Sequence, residues 1–388
     1  MTEQHYDAIV VGAGPAGAVA AYELARAGLR TLLIEKAKLP RYKTCGGGIT
    51  YKSARALPFA IDSVCERVLY KAEFSWRSTK PFVAQYEQPL VYMVQRSKFD
   101  NLLVEQAAAM GAEVMDDTLV QSVEADETGA TVNTTRGSFS ADNLVGADGA
   151  TGRVARSLGF ESHKWAIAAL ESEVEVEQAV MDRWIDRMGL DLGELKGAYG
   201  WVFPKGDHLS VGVGGVPMIG DYGSHLKRYN EKHTINRVPG NAIKRVIGSH
   251  GYKIPARQAG APVQKGRALL VGDAAGLVEV LTGEGIFWAI RSAQIAAQSI
   301  LSDHTATYGQ RLDAILMPDL MSSRRWLGLY ALAPNVCYHI PKRMPVIWRA
   351  MCKIGRGDRR FSDIRRELGP FGFLESLLPD PLLVADNA

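Results

Sequence analysis

The chain is poor in cysteine. Of its 388 residues only Cys45, Cys65, Cys337 and Cys352 carry a thiol, and none of them forms a CxxC pair or a zinc-ligand spacing. Neither a disulfide framework nor a metal site is expected, and a reducing compartment fits best. Long apolar runs are missing as well. The longest uncharged stretch, 326–340, is broken by Pro334 and falls short of the ~20 apolar residues that a bilayer-spanning helix needs. The segment 1–7 is short, polar and leads straight into AIVVGAG, leaving no room for the basic and apolar regions of a signal peptide, so a cytoplasmic location is expected. Extreme charge is absent too: a net charge of +3 with 47% hydrophobic and 22% charged residues excludes disordered and collagen-like classes.

What is present begins at Tyr6. A β-branched run, AIVV, is followed by Gly12-Ala13-Gly14-Pro15-Ala16-Gly17, an alanine-rich helical segment and a second apolar run from Arg30 to Ile34 that ends in Glu35 and Lys36. Strand, glycine turn, helix, strand and acid in this order form a dinucleotide-binding βαβ unit. Gly12 permits the tight turn, Gly14 lets a pyrophosphate approach the helix N-terminus, Gly17 allows close helix-on-strand packing, and Glu35 stands where a ribose hydroxyl would bind.

Three further segments carry a family resemblance. Gln95-Arg96-Ser97-Lys98-Phe99-Asp100, the run LVGADGATGR around Asp148 and Gly149, and the run ALLVGDAAG around Gly272 and Asp273 with its continuation LTGEGI resemble the flavin-dependent oxidoreductases of the para-hydroxybenzoate hydroxylase fold, and within them the geranylgeranyl reductase family. The resemblance spans most of residues 5 to 300. It implies FAD as cofactor, with Arg96 reaching it, Asp148 and Gly149 closing the nucleotide site, and Gly272 and Asp273 beside the ribityl chain. Gly283, Gly285 and Ile286 would sit beside the flavin ring. The carboxylate of Asp273 can accept ribitol hydroxyls, and the helical run from Ile286 would present its N-terminus to negative charge on a reduced flavin. Val280 stands where the family carries proline. Val120 is expected at a strand edge near the adenine, where a core valine is nearly as good a reading.

The stretch PRYKTCGGGI, 40–49, is similar to the family's PRxKxCG signature, which implies that Cys45, Gly46 and Gly47 pass the flavin ring. Glycines there permit close backbone approach. Cys45 is the candidate for tuning the ring or relaying a proton, a packed thiol being the plain alternative. Tyr199-Gly200-Trp201-Val202-Phe203-Pro204 matches the family's YxWxFP pattern; strand alternation puts Tyr199, Trp201 and Phe203 on one face, an aromatic wall suited to a polyene, and Pro204 closes the set of substrate contacts. The following LSVGVGG lacks a helix after it and is not read as a second dinucleotide site, so the reductant is expected to be transiently bound NADPH or reduced ferredoxin, the latter an electron-donor protein.

The expected fold class is α/β in two domains: a Rossmann-like FAD-binding domain from 1–75, 96–160 and 265–305, a substrate domain on a mostly antiparallel sheet from 76–95 and 161–264, and a helical C-terminal region, 306–388. Between Arg324 and Arg366 that region holds eleven lysines and arginines against only Asp358 and Asp363, interleaved with Trp326, Leu327, Leu329, Tyr330, Leu332, Trp348 and Phe361. Nothing resembles a nucleic-acid module. Peripheral contact with an anionic membrane is expected, since a polyprenyl substrate partitions into lipid. The reading reached is an FAD-dependent oxidoreductase that reduces C=C bonds of a polyprenyl lipid. The alternatives are a flavin monooxygenase, a halogenase, whose WxWxIP motif differs from Tyr199–Pro204 at the first aromatic and at the Ile position, and a non-enzymatic flavin-binding protein.

Overall fold

The computed structural model describes residues 4–160, 165–216, 222–367, 375 and 377–381. Among the described residues the strands form two large sheets and a small three-stranded one. The first sheet has eight strands, with the order Gln264–Lys265, Ala268–Leu270, Gly137–Gly146, Gln4–Val11, Thr31–Ile34, Glu113–Met115, and a hairpin of Val120–Ala125 and Ala130–Thr134 beside Gly137–Gly146. Its centre is parallel: Gln4–Val11 pairs with Gly137–Gly146 on one side and with Thr31–Ile34 on the other. A strand covered on both faces must be apolar throughout, and Ala8 to Val11 and Thr31 to Ile34 are all buried. The helix Pro15–Arg26 starts with proline at its first turn, a position that needs no N–H. Its run of small residues lets it pack closely against Ile286–Leu301 and Arg96–Ala109.

The second sheet has seven strands in the order Ile243–Ala256, Trp165–Val176, Leu209–Gly215, Ala198–Pro204, Arg187–Leu192, Lys71–Trp76, Thr79–Gln85. Only Arg187–Leu192 with Lys71–Trp76 is parallel, so the sheet is mostly antiparallel as expected. It begins at Lys71, a few residues ahead of the 75/76 boundary read from the sequence. Val91–Val94 pairs instead with Gly48–Thr50 and Cys65–Leu69 in the small sheet. On one face, Val202, Val211 and Trp184 form a core that the helices Gln178–Trp184 and Tyr222–Arg237 cover. The other face turns toward the glycine loops of the first sheet and, at its far end, toward the C-terminal helices Tyr308–Leu332, Pro334–Arg343 and Pro345–Gly355, where Phe74, Tyr338 and Trp348 pack together.

Candidate active site

The three glycines of the first turn are not equivalent. A Cβ on Gly12 would lie 2.5 Å from the Ala147 carbonyl oxygen, and one on Gly17 would lie 1.8 Å from the Gly12 carbonyl oxygen; both positions are closed by the protein's own backbone, and Gly12 also has φ +102°. At Gly14 the nearest atom is 3.8 Å away, on the Arg41 guanidinium. The fold leaves the space above Gly14 open, at the N-terminus of a helix, where backbone N–H groups attract an anion.

Charge around that opening is built in layers. The Glu35 carboxylate accepts the Ala13 and Ala37 amides at 2.9 and 3.1 Å and pairs with Arg41 at 3.3 Å. Arg41 also reaches Asp100 at 3.0 Å, and Asp100, 1% exposed, takes Arg96 through two parallel bonds of 2.8 and 2.9 Å. Burial works against the Arg96 charge, but the ion pair with Asp100 and a contact with Cys45 outweigh it and hold the guanidinium protonated. Lys43 is half-buried, with its ammonium 3.4 Å from the centre of the Tyr252 ring. Burial, and then Arg96, push its proton affinity down; a phosphate beside it would reverse that.

Across the opening, Asp148 Oδ2 accepts the amides of Arg153 and Val154, capping a short helix. Its Oδ1 is buried without a hydrogen-bond partner among the described residues, and burial holds its proton affinity up. Tyr252 spans the gap between the two acids' loops. Its hydroxyl lies 3.8 Å from where a Gly149 Cβ would be and donates to Asp273 Oδ2 at 2.9 Å. Gly272 lies between Ala16 and Ala289, which brings Asp273 to the start of Pro15–Arg26. The LTGEGI loop is pinned from below: Lys52 pairs with Glu284 at 2.5 Å, and Glu279 accepts the Leu281 and Thr282 amides at 2.6 and 3.3 Å. Gly285 caps the helix that Ile286 begins.

The Cys45 loop meets the second sheet directly. A Cβ on Gly46 would lie 2.7 Å from the Phe203 ring, and one on Gly47 would lie 2.3 Å from the Val94 carbonyl and 3.1 Å from Lys205. Cys45 is half-buried, with the Gly47 amide 3.5 Å from its sulfur. Tyr199, Trp201 and Phe203 share the facing side of their strand, with ring centroids 6.2 and 6.3 Å apart. Tyr199 donates to the Thr282 carbonyl, so the aromatic strand touches the Cys45 loop at one end and the LTGEGI loop at the other. The glycines of LSVGVGG make this possible: a Cβ on Gly212 would lie 2.2 Å from the Trp201 indole, which fills that groove and donates to Ser210 at 3.2 Å. The ladder Tyr199, Leu192, Trp76 continues the apolar face to a cavity of about 500 Å³ lined by Trp76, Arg77, Leu195, Lys196 and Pro334.

Most of the singled-out residues surround one cleft between the sheets. Lys36 is on its exposed rim, close enough to act on Asp148. Val120 is 4% exposed, with its side chain in the core. Sequence reasoning passed over Tyr252, and also Glu171, Glu173 and Lys205, which lie buried under the Cys45 loop. The alternating ALESEVEV was the available signal; period-2 acids on a strand ordinarily mark a solvated face.

Comparison with known proteins agrees with this geometry. A family described as an FAD binding domain matches residues 5–191. The geranylgeranyl diphosphate reductase of Synechocystis sp. is 30% identical, covering 78% of this chain and 76% of the relative. The chloroplastic geranylgeranyl diphosphate reductase of Oryza sativa is 32% identical over 76% of this chain, which spans 66% of that longer relative. A solved geranylgeranyl bacteriochlorophyll reductase-like protein from Thermoplasma acidophilum superposes with a TM-score of 0.72 at 27% identity, covering 83% of this chain and 86% of that one.

Proposed function

We propose, for a chain that belongs to the geranylgeranyl reductase family of FAD-dependent oxidoreductases, that it reduces carbon–carbon double bonds of a polyprenyl lipid or isoprenoid. The observation that carries the substrate class is the aromatic strand seated on Gly46 by Phe203 and held to Thr282 by Tyr199, because it makes an apolar wall continuous with the loops of the dinucleotide cleft. An extended isoprenoid would stack along it toward Trp76.

The cleft fits FAD. Gly14, with its open space, would receive the pyrophosphate together with the amides of Ala16 and Gly17 in the first turn of the helix, and the unpartnered Asp148 Oδ1 is an acceptor awaiting a donor. Arg96, Lys43 and Arg41 would balance its negative charge, Glu35 would hold a ribose hydroxyl, and Asp273 the ribityl chain, with Tyr252 giving up its bond. When bound and reduced, the flavin supplies the hydride. The chain's own residues would do the rest: Cys45, Gly46 and Gly47 on one side and Gly283, Gly285 and Ile286 on the other would hold the ring, and the aromatic wall would exclude water. NADPH or reduced ferredoxin would deliver the electrons at the surface.

An anaerobic assay with geranylgeranyl diphosphate, supplying NADPH in one arm and reduced ferredoxin in another, is expected to give products heavier by one pair of hydrogens per reduced bond. In a parallel aerobic arm with NADPH, oxygen uptake coupled to hydroxylation, with no reduced products in the anaerobic arms, would favour the monooxygenase reading. In the same assay Cys45→Ser is expected to keep FAD and to change the rate or the number of bonds reduced, by less than the ~10²-fold that loss of an essential acid costs. Product masses and rates identical to the parent would leave Cys45 as packing.

The substrate is collected from a membrane surface. No helix among the described residues is long and apolar enough to cross one. The expected membrane face shifts, however: Leu327, Tyr330 and Trp348 are buried against the sheets, and Arg324 and Arg356 are 3% and 4% exposed. The exposed stripe runs instead through Leu332, Val336, Ile340, Met344, Val346 and Met351, with Lys342, Arg343, Arg349 and Lys353 exposed among them. Vesicles containing phosphatidylserine should sediment the protein, and neutral vesicles should not. At ~1 kcal/mol per basic residue, Lys342→Gln with Arg343→Gln should weaken binding about 30-fold; equal binding of both proteins would overturn the assignment.

A further inference from the structure

The cluster beneath the Cys45 loop has a charge imbalance that the FAD cleft does not explain. Glu171 and Glu173 lie on the same face of Trp165–Val176 as the aromatic wall, since Glu171 and Trp201 both pair with Gly212, and Glu173 and Phe203 both pair with Ser210. Lys205, 2% exposed, pairs with Glu173 at 2.8 Å and also donates to the Cys45 carbonyl at 3.4 Å. His208 Nε2 stands 3.7 Å from Glu173. With His208 and Lys205 beside it, Glu173 is held down to about 2 and stays ionised.

Glu171 has no such counter-ion. It is 4% exposed, and its Oε1 is buried with no partner among the described residues. The Cys45 backbone N–H points to its carboxyl group. The other charged and titratable groups facing it are Glu173 on its own strand, Lys205 at the end of the aromatic strand, and Tyr42, Lys43 and Cys45 of the loop. His250, its register partner on the neighbouring strand, completes the set. Tyr42 and His250, hydrogen-bonded at 3.2 Å and both exposed, connect this corner to water.

We propose that Glu171 is a positioning residue that acts through Cys45: it orients the loop by its amide and returns to the Cys45 thiol the proton that alkene reduction consumes. This rests on the reading of the site as a prenyl reductase. In balance, the π bond is replaced by two C–H bonds. One hydrogen arrives as hydride from reduced flavin, which is left oxidised, and the other as a proton from the Cys45 thiol. The thiolate then takes a proton from Glu171, and the Glu171 carboxylate regains one from water past His250. Burial, against the pull of Lys205, pushes the Glu171 carboxyl up to about 7, so both of its forms are populated near neutrality, as an acid that gives and regains a proton requires.

The test uses the FAD-loaded protein. Alkylation of Cys45 by iodoacetamide, followed by mass spectrometry of its peptide across the neutral range, should show an inflection near pH 7 that Glu171→Gln abolishes. In the prenyl assay, wild-type turnover should fall as pH rises through about 7, because the protonated form is the donor. Glu171→Gln should lose this pH dependence and no more turnover than Cys45→Ser, less than about 10²-fold, and Glu171→Asp should restore part of both. Alkylation or turnover profiles of Glu171→Gln that coincide in shape with the wild type would overturn the proposal. The alkylation arm needs no alkene: a wild-type protein that shows the inflection yet reduces no prenyl substrate overturns the substrate reading instead.

Discussion

Gly14→Val is expected to give a folded protein that has lost FAD, whereas Gly12→Val and Gly17→Val are expected to give no folded protein at all. The difference lies in what each new side chain meets. At Gly12 and Gly17 a Cβ collides with backbone carbonyl groups at 2.5 and 1.8 Å, which cannot yield without opening the turn; at Gly14 it meets only the end of Arg41 at 3.8 Å. A valine there projects into the space a pyrophosphate would take. Overpacking costs roughly 1–3 kcal/mol, and each 1.4 kcal/mol is tenfold in affinity, so flavin affinity should fall by about ten- to a hundredfold. Thermal melting of the flavin-free proteins separates fold from ligand, and absorbance of the purified proteins reports flavin content. Gly14→Val that retains its flavin would sink the assignment of that space.

Trp201→Ala should carry the largest cost in the second sheet. The indole is 8% exposed, fills the groove over Gly212 and bonds to Ser210, and truncating such a ring typically costs 3–5 kcal/mol. The variant should unfold at markedly lower urea concentration. Under conditions where it remains folded it should keep FAD, because the Gly14, Asp148 and Asp273 loops belong to the other sheet. Prenyl turnover should nonetheless fall by about 10²-fold, the scale of loss when a substrate is misplaced by an ångström. Trp201→Phe should recover most of the stability and part of the turnover. Unchanged prenyl turnover in folded Trp201→Ala would make the ring a packing residue and leave Tyr199 and Phe203 as the wall.

Much of the cleft was legible because its parts are local. Gly12 to Gly17, Glu35 and the run around Asp273 follow strand ends at fixed spacing, and a buried parallel strand followed by a glycine turn has few ways to fold. The aromatic wall was legible for the same reason: period 2 places Tyr199, Trp201 and Phe203 on one face whatever lies opposite. Glu171 and Glu173 illustrate the limit. Alternation puts Glu171, Glu173 and Glu175 on one face too, yet burial separates them: the Cys45 loop covers the first two, while the Glu175 carboxylate stays at the surface, 41% exposed, beside Arg245. The C-terminal region failed in the opposite direction. Its aromatic residues looked available for lipid, and packing against Phe74 and the Cys45-facing sheet withdrew Trp348 and Tyr330 while leaving Val346 and Leu332 outside.

The sequence by itself determined the dinucleotide turn, the order of its strands, the aromatic face and the family, because each depends on the backbone geometry of consecutive residues. Tertiary structure alone decided which of three glycines is left open for a ligand, which acid is buried without a counter-ion, and where Tyr252 and Lys205 reach. Those properties depend on what a second chain segment, more than a hundred residues away, brings into contact, and on the burial that this contact imposes on charge.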